Sequence, residues 1–234
     1  MRGMPFVFVH PIGDRIEVRG SDAAHLARSL RVRRGERVEV VDPGDGSEGR
    51  LLTMRVETVA SDRVTGRVER SLPHRPEPST AVQVALALLP ASALEAALSR
   101  CTELGAAGFV VVRGQRSVVR AADERKIRRW AAICREAAML AGRLRVPPVR
   151  GPVEITALAE IVPSEVVLLD RGAGRRLAEL RPGPRTLLIG PEGGWTPEEV
   201  EAVAERARLG PRNLRAENAA AAALAIALSK AGDL

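Results

Sequence analysis

The segment Leu187-Leu188-Ile189-Gly190-Pro191-Glu192-Gly193-Gly194-Trp195-Thr196-Pro197-Glu198-Glu199-Val200 carries the strongest chemical signal in the chain. An apolar strand runs into a glycine-rich turn, and a helix start follows. Thr196 is placed to cap that helix and Pro197 suits its first position. Glu199, three residues after the cap, completes a capping box. The glycines need another reason. They permit positive φ and let main chain approach a ligand closely, at the carboxyl end of a strand, where open α/β sheets bind small molecules. A tight strand-to-helix turn without a ligand accounts for the same residues, so the motif alone does not choose. About twenty residues on, Leu209-Gly210-Pro211-Arg212-Asn213-Leu214-Arg215-Ala216-Glu217-Asn218 leads into an alanine-rich helix. Arg215, Glu217 and Asn218 stand at its mouth, in reach of the same ligand.

Other chemistries fall away. The three histidines, His10, His25 and His74, all precede the second half of the chain, so a Ser–His–Asp or Cys–His site there is excluded. No His, Cys and carboxylate spacing suits a metal. A GxxxxGK[ST] phosphate loop is absent, and Arg171-Gly172-Ala173-Gly174 lacks the third glycine of a dinucleotide fingerprint. Cys101 and Cys134 are too few and too far apart for a disulfide framework or a zinc site, and they suit a reducing cytosol. The first residues, MRGMPFVFVHPIGDR, hold no apolar signal core. The longest apolar run, Ala219 to Leu228, has ten residues, about half of what spans a bilayer. A soluble, cytoplasmic protein is expected.

The elements that must position these motifs divide in two. Residues 1 to 71 read as β-rich. Arg50 to Val59 alternates, with Leu52, Met54 and Val56 on one face. Val38–Val41 and Val64–Val68 are short strands, joined by the turn residues Asp42 to Gly46 and Ser61 to Arg63. One short helix starts at Ser21 or Asp22 and runs to Leu30. Five or six strands with one helix suggest a small barrel. Residues 72–80 hold three prolines and read as a stiff linker. From residue 81 to 234 apolar strands alternate with helices: Val82–Leu89, Ala91–Leu104, Phe109–Val112, Ala122–Ala141, Val166–Leu169, Arg175–Leu180, Thr186–Ile189, Pro197–Arg208 and Arg215–Lys230. That pattern implies an α/β domain with a parallel sheet covered on both faces.

Charge supplies a second line. Basic residues outnumber acidic ones 36 to 29, and 34 of the 36 are arginine; there are three Phe, two Trp and no Tyr. Arginine suits bidentate phosphate recognition, whereas scarce aromatics argue against a single-strand binder that stacks bases. High genomic GC content or life at high temperature gives the same bias, and composition does not separate these. The surplus is local, however. Arg28, Arg31, Arg33, Arg34 and Arg37 are opposed only by Glu36, and Arg113 to Arg150 holds 11 basic against 3 acidic residues. Clustering of this kind is expected of a nucleic-acid binder.

The pair GPEGGWTPEEV and LGPRNLRAENA resembles the signature of the ribosomal RNA uridine-N3 methyltransferase family, within the SPOUT superfamily of knotted methyltransferases. His25 through Gly35, Thr102-Glu103-Leu104-Gly105, Gln115-Arg116-Ser117-Val118, and Glu136-Ala137-Ala138 with Gly142-Arg143 and Pro147 are similar to further blocks of that family, in order along the chain. Three departures stand out: Met139-Leu140-Ala141 where the family usually shows Glu-Gln-Ser, Asn218 in place of Thr, and no lysine in Leu89-Pro90-Ala91-Ser92.

The resemblance implies an α/β protein with an N-terminal PUA-like β-barrel, followed by a SPOUT domain with a C-terminal deep trefoil knot. S-adenosyl-L-methionine is expected against three loops. The first follows Leu168 and Leu169. The second is Gly190, Pro191, Glu192, Gly193 and Gly194. The third carries Leu209, Gly210, Leu214, Arg215, Glu217 and Asn218. The implied partners are small-subunit ribosomal RNA or the assembled subunit, and a second copy of the chain as a homodimer, with no membrane and no metal. The implied product is 3-methyluridine. The imide nitrogen of uridine is a poor nucleophile while protonated, so catalysis needs a base or a stabiliser of the anion. Glu217 is expected to handle cofactor or proton and Arg215 to stabilise charge. Arg116 and Arg143, with Arg28, Arg31, Arg33 and Arg34, are expected on RNA phosphates. A SPOUT enzyme acting on another RNA, such as a transfer-RNA ribose hydroxyl, and a non-catalytic RNA-binding relative share these segments.

Overall fold

Period-two and continuous apolar runs build two separate sheets. The computed structural model describes residues 6–44, 48–117 and 122–234. Asp45 and Gly46 of the expected turn, and Val118 of the Arg-Ser segment, lie outside them. In chain order the elements are β1 (Val7–Phe8), β2 (Arg15–Arg19), α1 (Gly20–Ala24, widening into a π turn over His25–Ser29), β3 (Arg37–Asp42), β4 (Gly49–Val59) and β5 (Arg63–His74). They continue as β6 (Val82–Ala87), α2 (Ala91–Glu103), β7 (Gly108–Arg113), α3 (Glu124–Leu140), β8 (Val149–Glu154), α4 (Leu158–Ile161) and β9 (Val166–Leu169). The last are β10 (Arg185–Ile189), α5 (Pro197–Glu201), β11 (Glu205–Ala207) and α6 (Ala216–Ala231). The chain forms two compact units, Met1–Glu77 with Ala138–Arg145, and Pro78–Ala137 with Val146–Leu234.

In the first unit the strands run β1-β3-β4-β5-β2, antiparallel except for the parallel pair β1 and β3. The alternation read from β4 holds: Leu52, Met54 and Val56 are buried, against Val38, Val40, Ile16 and Val64. Gly66 opposite Val56 is required by proximity, because a Cβ there would stand 2.4 Å from the Arg55 carbonyl oxygen. Strand β5 runs further than its sequence suggests. Leu72, Pro73 and His74 pair with Leu51, Arg50 and Gly49, so the first three residues of the expected linker belong to the sheet. Beyond Arg67, β5 has no β2 partner, and an open edge tolerates proline.

The same unit takes in 138–145, which the sequence reading puts in the second domain. Met139 lies in this unit's core, and the Phe6 amide donates to its carbonyl at 2.9 Å. Arg143 is 4% exposed. Its guanidinium spans both oxygens of Glu77 at 3.3 and 2.6 Å, and Glu77 also accepts the amides of Leu144 (2.8 Å) and Arg145 (3.2 Å). The expected role of Arg143 on RNA phosphates is therefore corrected. A buried guanidinium held by a carboxylate in two places has no free fork for a phosphate.

The second unit holds a parallel six-stranded sheet in the order β11-β9-β10-β6-β7-β8. Strands β6, β7 and β10 are continuous apolar runs because helices cover both faces, and every residue of β10 is buried. Two edge strands were not legible. Val149–Glu154 contains Gly151 and Pro152, which read as a break, yet an edge position accepts them. Pro197–Arg208 reads as one helix, but α5 stops at Glu201 and Glu205–Ala207 pairs with β9; tertiary pairing overrides local propensity. The expected helix at Arg175–Leu180 is a single 3₁₀ turn, Leu177–Glu179. Helix α6 buries Ala216, Ala220, Ala223, Leu224 and Leu228, a stripe at helical spacing whose small side chains let it lie close to α2, β6 and β10. It ends at Gly232, with φ of 80°, and Asp233 then accepts the amides of Ser79 and Thr80 at 2.8 and 2.9 Å.

Breaking the buried Arg143–Glu77 pair by Arg143→Met should destabilise the first unit by about 3–5 kcal/mol, since it strands a carboxylate in low dielectric. Denaturant unfolding followed by circular dichroism measures this. A change below 1 kcal/mol would assign the pair the small value of a surface bridge.

Candidate ligand site in the second unit

The register of β10 between β9 and β6 sets the site. Leu187 lies opposite both Val167 and Val84, and Ala207 of β11 lies opposite Leu169. The carboxyl ends of β9, β10 and β11 therefore finish side by side. The loops leaving them enclose a cavity of about 650 Å³, within the ~300–1,000 Å³ of small-molecule sites. Its walls are Leu168–Arg171, Ile189–Trp195 and Arg208–Gly210 with Arg212–Ala216, closed by Val200 and Ala219.

Most of the sequence-predicted ligand residues meet here. Leu168 and Leu169, all five residues from Gly190 to Gly194, and Leu209, Gly210, Leu214 and Arg215 line the cavity. Glu217 and Asn218 do not. On α6 it is Ala216 and Ala219, three apart, that face the cavity, and the two residues between them turn away. Asn218 instead accepts a hydrogen bond from the Arg100 guanidinium at 2.6 Å. The expectation that Glu217 and Asn218 face the ligand, and that Glu217 serves as base, is corrected on this geometry. The carboxylates that do reach the wall are Asp170 and Glu192.

The glycine turn is explained in part by a residue the sequence reading passed over. Trp195 is 9% exposed, and its indole lies between two glycines. A Cβ on Gly190 would stand 2.7 Å from Nε1, and one on Gly114 would stand 2.7 Å from Cζ3. Gly194 has φ of 70°, which favours glycine. Gly193 has neither constraint: its φ is not left-handed, and a Cβ would meet Arg116 at an ordinary 3.4 Å. Of the three glycines, Gly193 is the one the fold itself does not demand.

The turn is held from behind by Glu199, which is 5% exposed. One carboxylate oxygen accepts the Thr196 amide at 2.8 Å, while the Thr196 hydroxyl accepts the Glu199 amide at 3.3 Å, as the capping box predicts. The other oxygen accepts the Gln115 amide at 2.7 Å. The loop so anchored carries Arg116, whose guanidinium donates to the carbonyls of Gly193 (3.3 Å) and Trp195 (3.2 Å). The Trp195 indole N–H is buried without an acceptor among the described residues. Nucleophilic cysteine chemistry is absent from this picture: Cys101 is buried and its thiol is pushed up to about 12 by desolvation, with the neighbouring Cys134 adding to the rise.

Comparison with known proteins decides the family. The model of the RNA methyltransferase domain matches residues 75–228. Ribosomal RNA small subunit methyltransferase E of Mycobacterium bovis is 35% identical over 225 residues, covering 88% of this chain and 83% of that protein. The chain belongs to the ribosomal RNA small subunit methyltransferase E family. The Synechocystis member is 32% identical over 215 residues, covering 86% of this chain and 68% of its own. The methyltransferase E of Neisseria gonorrhoeae, crystallised bound to S-adenosyl methionine, matches at TM-score 0.82 and 26% identity over 95% of both chains. A putative methyltransferase of Legionella pneumophila matches at TM-score 0.83 and 23% identity over 97% of this chain and 98% of its own, a likeness of fold. The fold is thus α/β and shared with ribosomal RNA small subunit methyltransferase E.

Within this chain the two glycines should respond oppositely. Gly190→Ala forces the indole to move and should cost about 1–3 kcal/mol, as overpacking does. Gly193→Ala should stay within about 0.5 kcal/mol of the parent. Thermal unfolding of both variants checks the contrast, and equal losses would mean that Gly193 too is a packing glycine.

Proposed function

We propose that this chain is an S-adenosyl-L-methionine-dependent methyltransferase that methylates N3 of a uridine in small-subunit ribosomal RNA. The observation that carries the reading is the three-loop cavity at the ends of β9, β10 and β11, built mostly from the residues that the resemblance implies for the cofactor. Its chemistry fits that group. Leu168, Leu169, Ile189, Leu209 and Leu214 offer apolar walls for an adenine ring, and main chain from Gly190 to Gly194 and Arg208 to Asn213 offers polar edges for adenine and ribose. Gly193, which the fold does not demand, leaves bare main chain on the cavity wall. When bound, the cofactor supplies an electrophilic methyl group on a sulfonium.

This chain's own part is to hold and polarise the base. Methyl transfer is an in-line displacement, so positioning accounts for much of the rate. Arg215, exposed at the N-terminus of α6, presents its guanidinium to the cavity. Set beside O2 or O4 of the uracil, it lowers the free energy of the imide anion and eases loss of the N3 proton to solvent. Arg116, tied to the glycine turn, and the exposed Arg28, Arg31, Arg33 and Arg34 of the first unit act on RNA phosphates. The wider reading includes a PUA-like barrel for the first unit, a trefoil knot at the C-terminus and a cytoplasmic homodimer. Support for the knot is topological: the chain adds β10 between β9 and β6 and then returns to add β11 outside β9. No helix among the described residues is long and apolar enough to cross a membrane.

Small-subunit ribosomal RNA incubated with the protein and methyl-labelled cofactor should yield labelled 3-methyluridine by nucleoside mass spectrometry. A labelled 2′-O-methyl nucleoside would transfer the chain to another SPOUT reaction, and no labelled nucleoside would leave an RNA-binding relative. Gly193→Val should weaken cofactor binding at least ~10-fold in calorimetry, a loss of about 1.4 kcal/mol or more, with the first unit still folded. Unchanged affinity would remove the glycine turn from the cofactor site.

A further inference from the structure

The arginines divide by whether a carboxylate neutralises them. In the second unit Arg113 pairs with Glu154, Arg129 with Glu95, Arg175 with Glu205 and Arg206 with Asp170. The guanidinium groups of Arg171, Arg176 and Arg208 are in no ion pair with a carboxylate among the described residues, although the Arg176 amide donates to the Glu179 carboxylate at 3.0 Å. These three nevertheless come together. Arg176 and Arg208 are partners across an isolated parallel bridge, fixed by main-chain hydrogen bonds from the Leu177 amide to the Arg208 carbonyl and from the Arg208 amide to the Arg175 carbonyl, both 2.9 Å. Like charges set opposite each other in this way are destabilising.

With Arg171, Gly172, Gly210 and Pro211 they line a second cavity of about 560 Å³ whose lining contains no carboxylate. Arg171, Arg208 and Gly210 also line the larger cavity, so the two are contiguous. At Gly210 the space is open, since a Cβ there would meet nothing within 4 Å, whereas a Cβ on Gly172 would meet the Asp170 carboxylate at 3.5 Å, and that carboxylate accepts the Gly172 amide at 2.9 Å. Arg208 is oriented by a hydrogen bond from its guanidinium to the Ala173 carbonyl at 3.0 Å, while Arg171 and Arg176 are exposed. Three permanent cations around a concave, solvent-open space suit an anion with several oxygens.

We infer that Arg171, Arg176 and Arg208 form a phosphate subsite that grips the RNA backbone beside the nucleotide whose base enters the larger cavity. This rests on the methyltransferase reading for the identity of the RNA. A backbone grip there is useful because a base must be unstacked to reach an enclosed site, and contacts to its flanking phosphate offset that cost. An RNA backbone brings successive phosphodiesters, each with two free oxygens, to the exposed Arg171 and Arg176 and the half-buried Arg208, whereas the single carboxylate of the cofactor occupies one fork.

The test uses Arg176→Gln and Arg176→Glu, because the hydrogen bonds that fix position 176 are main-chain ones. Thermal unfolding establishes that both variants fold, and Arg171→Gln provides a second position. Binding of a small-subunit ribosomal RNA fragment across a salt series should weaken roughly five- to tenfold for Gln and further for Glu, with the log–log salt slope shallower by about 0.7–0.9 per lost phosphate contact. Cofactor affinity of the two Arg176 variants by calorimetry should stay within twofold of the parent. Unchanged RNA affinity and slope would overturn the inference. Cofactor affinity falling while RNA binding holds would also overturn it, and assign the subsite to the cofactor's carboxylate. Wild-type protein that binds the RNA but forms no methylated nucleoside overturns the proposed reaction and leaves the phosphate grip standing on its slope.

Discussion

The two oxygens of Glu199 hold the ligand site together. One closes the capping box that starts α5, and the other takes the amide of Gln115 from a loop some eighty residues earlier in the chain. The second contact fixes the Arg116 loop against the glycine turn through main chain, and Arg116 in turn holds the carbonyls of Gly193 and Trp195. A buried carboxylate is costly unless its acceptor capacity is used. Here two main-chain amides use it, so the desolvation cost that would expel Glu199 from the interior instead fixes the relation between two loops. Trp195 completes the arrangement by filling the gap between Gly114 and Gly190. The cavity's rigidity thus comes from its back wall, and its front is left to main chain and small residues.

Local charge density in a sequence is not surface charge. Arg113 to Arg150 carries a surplus in the linear chain, but Glu154, Glu95 and Glu77 neutralise Arg113, Arg129 and Arg143 from outside that stretch. Much of that cluster is internal bookkeeping. In the first unit Glu69 bridges Arg37 and Arg55, and Glu17 joins Arg19 and Arg63. Among the described residues, Arg28, Arg31, Arg33 and Arg34 on the first unit and Arg171, Arg176, Arg208, Arg212 and Arg215 around the cavities of the second are in no ion pair with a carboxylate, and these are the informative ones. Several of these stand in unremarkable sequence, where only folding brings them together.

Residues whose roles depend on one element were legible; those that depend on two were not. The alternation of β4, the burial of β6 and β10, and the Thr196–Glu199 box follow from period and spacing alone. The three loops were named in order because their segments resemble a family whose site they form. Glu217 misled because a polar residue beside an alanine run looks available, whereas helical phase puts Ala216 and Ala219 on the cavity and Glu217 off it. Strands β8 and β11 were missed because edge pairing tolerates Gly, Pro and charge that a central strand would reject. Arg143 misled because a sequence does not show that Glu77, far away in the chain, is waiting for it.

The same reasoning recasts the departure at Met139-Leu140-Ala141. Read along the chain, loss of polar residues there suggests altered substrate contacts. In the fold Met139 packs among Val7, Ile16 and Leu52 in the core cluster of the first unit, 8% exposed. A flexible thioether fills an irregular gap well, and a carboxylate at that point would need a partner that the cluster of aliphatic side chains does not offer. The Met at this position is therefore matched to this core.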